Sequence, residues 1–142
     1  MFNLKGKKAL ITGASGGIGG AITKTLKDAG AEVAISGTRL ESLEALSDTL
    51  GSNTQIFQCN LSDPLAIEDL LKGAVEKMGG IDILVNNAGI TRDNLFMRMS
   101  DEEWQTVLDI NLTATMKLCK GVVRGMMKNR WGRIINISSV VG

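Results

Sequence analysis

Several residue types that often carry chemistry are scarce or missing in this sequence of 142 residues. There is no histidine, which excludes a Ser–His or Cys–His nucleophile pair, and there is no tyrosine. The two cysteines, Cys59 and Cys119, lie far apart and do not have the spacing of a zinc site. Both stand in apolar surroundings, so we expect buried, unreactive thiols and no metal site.

The chain also lacks a strong charge of either sign and any long apolar run. Sixteen basic and 15 acidic residues give a net charge of +1, so no basic surface predicts nucleic-acid binding. No apolar run approaches the roughly 20 residues of a membrane-spanning helix, and the N-terminus does not resemble a signal peptide. We therefore expect a cytoplasmic protein, with residues 1–142 in a single domain, that binds neither nucleic acid nor membranes.

Short apolar runs alternate with longer helical stretches along the whole sequence. The runs are residues 9–11, 33–35, 56–57, 83–85 and 134–137. Continuous apolar strands between helices predict an α/β fold, a doubly wound parallel sheet of the Rossmann type. The second half of that fold lacks its last strand, and the fifth run would leave an apolar edge unpaired. We therefore expect these residues to be the N-terminal part of a longer single-domain enzyme.

Local signals mark the ends of the predicted helices. Thr38 with Glu41 and Ser100 with Glu103 fit capping boxes, and Asp63 before Pro64 fits an N-cap and a first-turn proline. Two glycines, Gly30 and Gly79, stand where helices should end.

A glycine-rich turn, with Gly13, Gly17 and Gly19, follows the first apolar run and opens a helical pattern. The first N–H groups of a helix have no intrahelical partner and lie at the positive end of its dipole. Glycines let this backbone approach a pyrophosphate closely, although the turn by itself would also fit an ordinary flexible loop. Polar residues follow two further runs, as Asn86-Asn87-Ala88-Gly89 and Ser138-Ser139. Because ligands bind beyond the carboxyl ends of parallel strands, the three segments predict one crevice.

A long helix is predicted from about residue 101 to residue 129. Its apolar stripe, which should face the sheet, comprises Trp104, Leu108, Thr115, Leu118, Val122 and Met126. Asn111 lies on the same stripe, so we expect it to be buried, where an unpaired amide would cost about 1–3 kcal/mol. Its amide is either satisfied by neighbouring backbone or holds water or backbone beside an active site.

Taken together, the glycine turn, the Asn86-Asn87-Ala88-Gly89 segment, Asn111 in a long helix and the Asn136-Ile137-Ser138-Ser139 strand end resemble the short-chain dehydrogenases/reductases. The residues that the resemblance assigns to the cofactor are Gly13, Ser15, Gly17, Ile18, Gly19, Thr38, Arg39, Asn60, Leu61, Asn87, Ala88 and Gly89. The glycine turn would hold the pyrophosphate, Asn60 and Leu61 would flank the adenine, and residues 87–89 would lie beside the adenosine side.

The resemblance implies two catalytic residues within the chain. Ser139 would hydrogen-bond the substrate carbonyl and stabilise the developing alkoxide, and Asn111 would fix a water in the proton relay. The proton donor of the family is the tyrosine of a Tyr-x-x-x-Lys motif downstream of this serine, and the chain contains no tyrosine. We expect that tyrosine and lysine beyond Gly142; a polypeptide that ended there would be an inactive dinucleotide-binding module.

NADPH is the expected cofactor because no acidic residue ends the second strand, where one would repel a 2′-phosphate. Arg39 can offer its donors to that phosphate, although it also fits a solvated cation paired with Glu41.

Two segments narrow the resemblance to the bacterial 3-oxoacyl-[acyl-carrier-protein] reductases, namely residues 86–99 and residues 132–142. That group implies NADPH-dependent reduction of 3-oxoacyl-[acyl-carrier-protein] to the 3-hydroxyacyl form in fatty acid biosynthesis, usually by a homotetramer. A related reductase of acetoacetyl-CoA, a sugar or another small ketone is the alternative. The long helix carries a basic stripe of Lys117, Lys120, Arg124, Lys128 and Arg130. The stripe fits a solvated face, or a surface in which Arg130 helps to dock an acidic carrier protein.

Overall fold

The computed structural model describes residues 2–140 and shows a parallel sheet of five strands with helices on both faces. Met1 and the last two residues of the 132–142 segment, Val141 and Gly142, lie outside the described residues. The strands are β1 (Lys8–Ile11), β2 (Glu32–Gly37), β3 (Thr54–Gln58), β4 (Ile83–Asn86) and β5 (Arg133–Asn136). Their order in the sheet is β3-β2-β1-β4-β5, with every ladder parallel. The predicted doubly wound α/β fold is confirmed, and the chain reverses its direction of winding at β1.

Alternate residues of the central strands supply the two halves of the core, because successive side chains of a strand point to opposite faces. Leu10 and Leu84 pack under one pair of helices, α3 (Pro64–Met78) and α5 (Ala114–Asn129). Ile11, Ile35 and Val85 belong to the other half, which packs under α1 (Gly17–Asp28) and α2 (Leu40–Leu50). Burial on both faces explains why the strands are continuously apolar.

Two of the three predicted helix starts are confirmed. Asp63 accepts a hydrogen bond from the Leu65 N–H, with Pro64 at the first helical position of α3. Ser100 and Glu103 form the reciprocal bonds of a capping box.

The third prediction, a capping box of Thr38 with Glu41, is wrong. The N-cap of α2 is Arg39, and no side chain caps the helix. Thr38 therefore lies one residue too early for its hydroxyl to serve the first turn. The glycines are confirmed at helix ends, because Gly30 and Gly79 both have positive φ directly after the last helical turns.

The predicted long helix is interrupted by one wide turn. It comprises α4 (Asp101–Leu108), a π-helical segment (Asp109–Thr113) and α5, and a short 3₁₀ turn (Phe96–Arg98) precedes it. A π turn takes one extra residue, so the faces before and after it fall out of register. Leu118, Val122 and Met126 are buried as expected, whereas Trp104 is 57% exposed.

The expectation that Asn111 is buried is also wrong, because it lies in the wide turn and is exposed. β5 is exposed along its length, since within residues 2–140 it pairs on one side only. Among the described residues, no helix has both the length and the apolar character needed to cross a bilayer.

Candidate functional site

A cavity of about 440 Å³ lies at the carboxyl ends of β1 to β4, where the sheet reverses its winding. All twelve residues that the family resemblance assigns to a cofactor line it, together with Gly16, Ser36, Cys59, Ile90 and Ile110. The twelve residues come from the segments that follow β1, β2, β3 and β4. These strands are far apart in the sequence but adjacent in the sheet. In an open α/β fold this is the position at which a ligand binds.

The glycine turn packs against the segment after β4 so closely that side chains would not fit. Gly13 has φ +60°, and a Cβ there would lie 2.8 Å from the Cα of Ala88. A Cβ on Gly19 would lie 2.7 Å from the Nδ2 of Asn87. The position of a Cβ on Gly17, by contrast, has no atom within 4 Å, so the start of α1 stays open to the cavity.

The glycine turn and the segment after β4 together form one wall of the cavity. Thr12, which the sequence does not single out as a site residue, joins these two segments. Its hydroxyl is buried and accepts from the N–H groups of Asn87 and Ala88, both at 3.1 Å, while it donates to the Val85 carbonyl at 3.4 Å. Asn87 returns a bond of 3.0 Å from its Nδ2 to the carbonyl of Gly13. The signal in the sequence is a small hydroxyl residue directly after a buried strand.

Asn111 fixes the next part of the same wall from the other side. Its Oδ1 accepts from the N–H of Ile90 and its Nδ2 donates to the carbonyl of Ile90, both at 2.8 Å. Of the two alternatives for this amide, the structure shows the one in which it holds backbone beside the cavity. Each amide atom keeps capacity for one further hydrogen bond.

A second cavity, of about 570 Å³, adjoins the first along residues 87–90. Ser139 and Asn111, the two residues assigned to catalysis, both line it, as do Thr115 and Asn136. Asn86, 5% exposed at the end of β4, donates to the Oδ1 of Asn136 at 2.9 Å and so ties the ends of β4 and β5 together beneath it. The catalytic and cofactor candidates therefore surround two adjoining cavities.

The first cavity has one charged group, at its end beside β2. Among the described residues that line the cavity, Arg39 is the only one that carries charge. Cys59, directly after β3, also lines this cavity; burial, followed by the charges of Asp63 and Asp69, raises the pKa of its thiol to about 11. The thiol is therefore protonated at neutral pH, as expected for an unreactive cysteine, and Cys119 is partly buried.

Three structural features of the described residues suit a bound dinucleotide. Gly13 and Gly19 let the glycine turn pack directly against the segment after β4 at the edge of the cavity, and the start of α1 offers N–H groups to a pyrophosphate. One arginine at the β2 end suits a further phosphate. Within residues 2–140, no three His, Cys, Asp or Glu side chains gather as they would around a metal ion.

Comparison with known proteins gives a consistent result. The sequence model of a family described as short chain dehydrogenase matches residues 7–142. The chain is 54% identical over 142 residues to nodulation protein G of Rhizobium sp. (strain N33), covering 100% of this chain and 58% of that protein. It is 54% identical over 141 residues to the 3-oxoacyl-[acyl-carrier-protein] reductase FabG of Vibrio cholerae, covering 99% of this chain and 58% of the relative.

The same reductase from Escherichia coli (strain K12) is 52% identical over 141 residues, again with 99% and 58% coverage. The chain thus spans somewhat more than half the length of these curated relatives. A solved structure, that of a metagenomic short-chain oxidoreductase in complex with NADP, superposes with a TM-score of 0.92 at 35% identity. That match covers 96% of this chain and 64% of the other chain.

Proposed function

The chain belongs to the short-chain dehydrogenase family, and from that premise we propose that it forms the NADPH-binding domain of a 3-oxoacyl-[acyl-carrier-protein] reductase. One observation carries this proposal: the twelve cofactor candidates surround one cavity, and Ser139 and Asn111 line the cavity beside it. Residues 1–142 would be one Rossmann domain within a longer single-domain enzyme, in keeping with relatives of which the chain covers 58%.

NADPH is favoured over NADH by the character of the β2 end. Among the described residues, those that line the first cavity include Ser36, Thr38 and Arg39 at this end and no carboxylate. An acidic residue there would repel a 2′-phosphate, whereas the guanidinium of Arg39 can bind one with paired donors. The solved relative in complex with NADP supports the same choice.

The residues of this chain would bind the cofactor and the substrate and orient them relative to each other. The nicotinamide, when bound, supplies the hydride that reduces the keto carbon. Ser139 would hold the carbonyl oxygen of the substrate and stabilise its developing negative charge. Asn111 would keep the segment at Ile90 in place between the two cavities and hold a water with its remaining capacity. A tyrosine of the longer enzyme would protonate that oxygen, and a lysine near it would lower the pKa of the tyrosine and hold the ribose.

The substrate is proposed from the relatives, whose printed names include 3-oxoacyl-[acyl-carrier-protein] reductases. An acyl carrier protein would then be the partner, and the exposed basic residues Arg124, Lys128 and Arg130 near the C-terminus of α5 suit an acidic surface. We further propose a cytoplasmic homotetramer. The exposed Met116 and Met127 of α5, at 52% and 72%, suit a subunit contact.

The test is a reductase assay on the full-length protein with 3-oxoacyl thioesters on acyl carrier protein and on CoA. We expect oxidation of NADPH with a marked preference for the carrier-bound substrate. Ser139→Ala should lower kcat at least 100-fold while NADPH affinity stays within about 2-fold, because the serine lines the second cavity and not the first. Preference for the CoA ester, a sugar or a small ketone would favour the alternative reductase, and binding without turnover would favour a non-catalytic module.

A further inference from the structure

The ladder between β2 and β3 does not end where the strands end. Its last backbone bond runs from the N–H of Cys59 to the carbonyl of Gly37, at 2.9 Å. The next carbonyl, that of Thr38, has no backbone partner on β3 and instead accepts from the side chain of Gln58, whose Nε2 lies 2.9 Å away. Gln58 is exposed and does not line the cavity, so it acts on the turn from outside.

This bond fixes more than one carbonyl. The Thr38 C=O and the Arg39 N–H belong to one planar trans peptide and point in opposite directions. Because the carbonyl points to the side chain of Gln58, the N–H of the same peptide points away from Gln58. Within residues 2–140 this N–H donates to no other group, and both Thr38 and Arg39 line the cavity.

We propose that Gln58 is a positioning residue for nucleotide selectivity: by holding the Thr38–Arg39 peptide, it aims the Arg39 N–H and the base of the Arg39 side chain at the 2′-phosphate of the cofactor. The proposal rests on the proposed use of NADPH. It predicts that Gln58 matters to nucleotides that carry the 2′-phosphate and matters little to those that lack it.

Gln58→Leu removes the hydrogen-bond donor and keeps a side chain of comparable volume. Gln55→Leu is the matched control, since Gln55 lies on the same strand at the far end from the cavity. Both variants of the full-length protein would be titrated by calorimetry with 2′,5′-ADP and with 5′-AMP, and their melting temperatures compared with that of the wild type.

We expect Gln58→Leu to weaken 2′,5′-ADP binding about 5- to 10-fold and 5′-AMP binding less than 2-fold, whereas Gln55→Leu changes neither. An unchanged ratio of the two affinities in Gln58→Leu, whether both fall together or neither falls, would overturn the positioning role and leave the NADPH proposal standing. A wild-type protein that binds 5′-AMP as tightly as 2′,5′-ADP would overturn both.

Discussion

Replacing Thr12 by valine would test how the cofactor wall is held together. Valine has nearly the same shape as threonine, so the buried site keeps its volume and loses only the hydroxyl. The change leaves two donors without their acceptor, the N–H groups of Asn87 and Ala88, each of which lies 3.1 Å from the threonine oxygen. It also removes the weaker bond to the Val85 carbonyl.

The magnitude follows from the desolvation of those two donors. A buried N–H left without a partner costs about 1–3 kcal/mol, and because Asn87 and Ala88 are only partly buried, the lower half of that range applies to each. We therefore expect Thr12→Val to lower the free energy of unfolding by about 2–4 kcal/mol. In urea that is a fall of about 1 M in the midpoint, for a slope near 3 kcal/mol/M.

The assay is urea unfolding of the full-length protein, read by tryptophan fluorescence, with NADPH affinity measured in parallel. Affinity should fall as well, because Asn87 and Ala88 line the cavity and Asn87 holds the carbonyl of Gly13. Thr12→Ser is the control, since it keeps the hydroxyl and loses one methyl group. A loss below 1 kcal/mol in Thr12→Val, or an equal loss in both variants, would refute the reasoning.

Three further predictions concern other parts of the same wall. Gly13→Ala should reduce dinucleotide affinity about 10-fold or more in an equilibrium titration, because the residue has φ +60° and the new Cβ would lie 2.8 Å from the Cα of Ala88. Asn111→Leu removes both bonds to the backbone of Ile90 and should lower kcat more than it raises the Kd for NADPH; an unaltered kcat would count against the clamp. Cys59, with a pKa of about 11, should be only about 1% thiolate at pH 9, so it should resist a thiol reagent there in the native protein and react once unfolded.

The architecture could be predicted from short-range patterns of the sequence, and the resemblance to the short-chain dehydrogenases/reductases added most of the residues that line the first cavity. The apolar runs locate all five strands to within a few residues, and the glycine turn follows from its position after β1. The ends of parallel strands necessarily meet at one edge of the sheet, so the strand-end motifs come together once the order of the strands is right.

What could not be predicted depends on tertiary contacts or on local geometry without a sequence signature. The wide turn that contains Asn111 is invisible to helical periodicity, so the amide was placed on a buried face when it is exposed. The predicted start of α2 differs from the observed start by one residue. Thr38 and Glu41 have the spacing of a capping box, but Arg39 is the N-cap. The bond between Gln58 and Thr38 joins residues that are 20 apart in the sequence, and no pattern in either segment predicts it.

The hydrogen bonds of Thr12 join residues that are 73 to 76 apart in the sequence. This separation determines when the nucleotide-binding surface can form during folding. Contacts of such separation close large loops and form only after the entropy of those loops has been lost. No partly folded state that lacks the pairing of β1 with β4 can present the nucleotide wall. A nucleotide therefore binds only after the central strands have assembled, and it stabilises this chain by slowing its unfolding, not by guiding its early collapse.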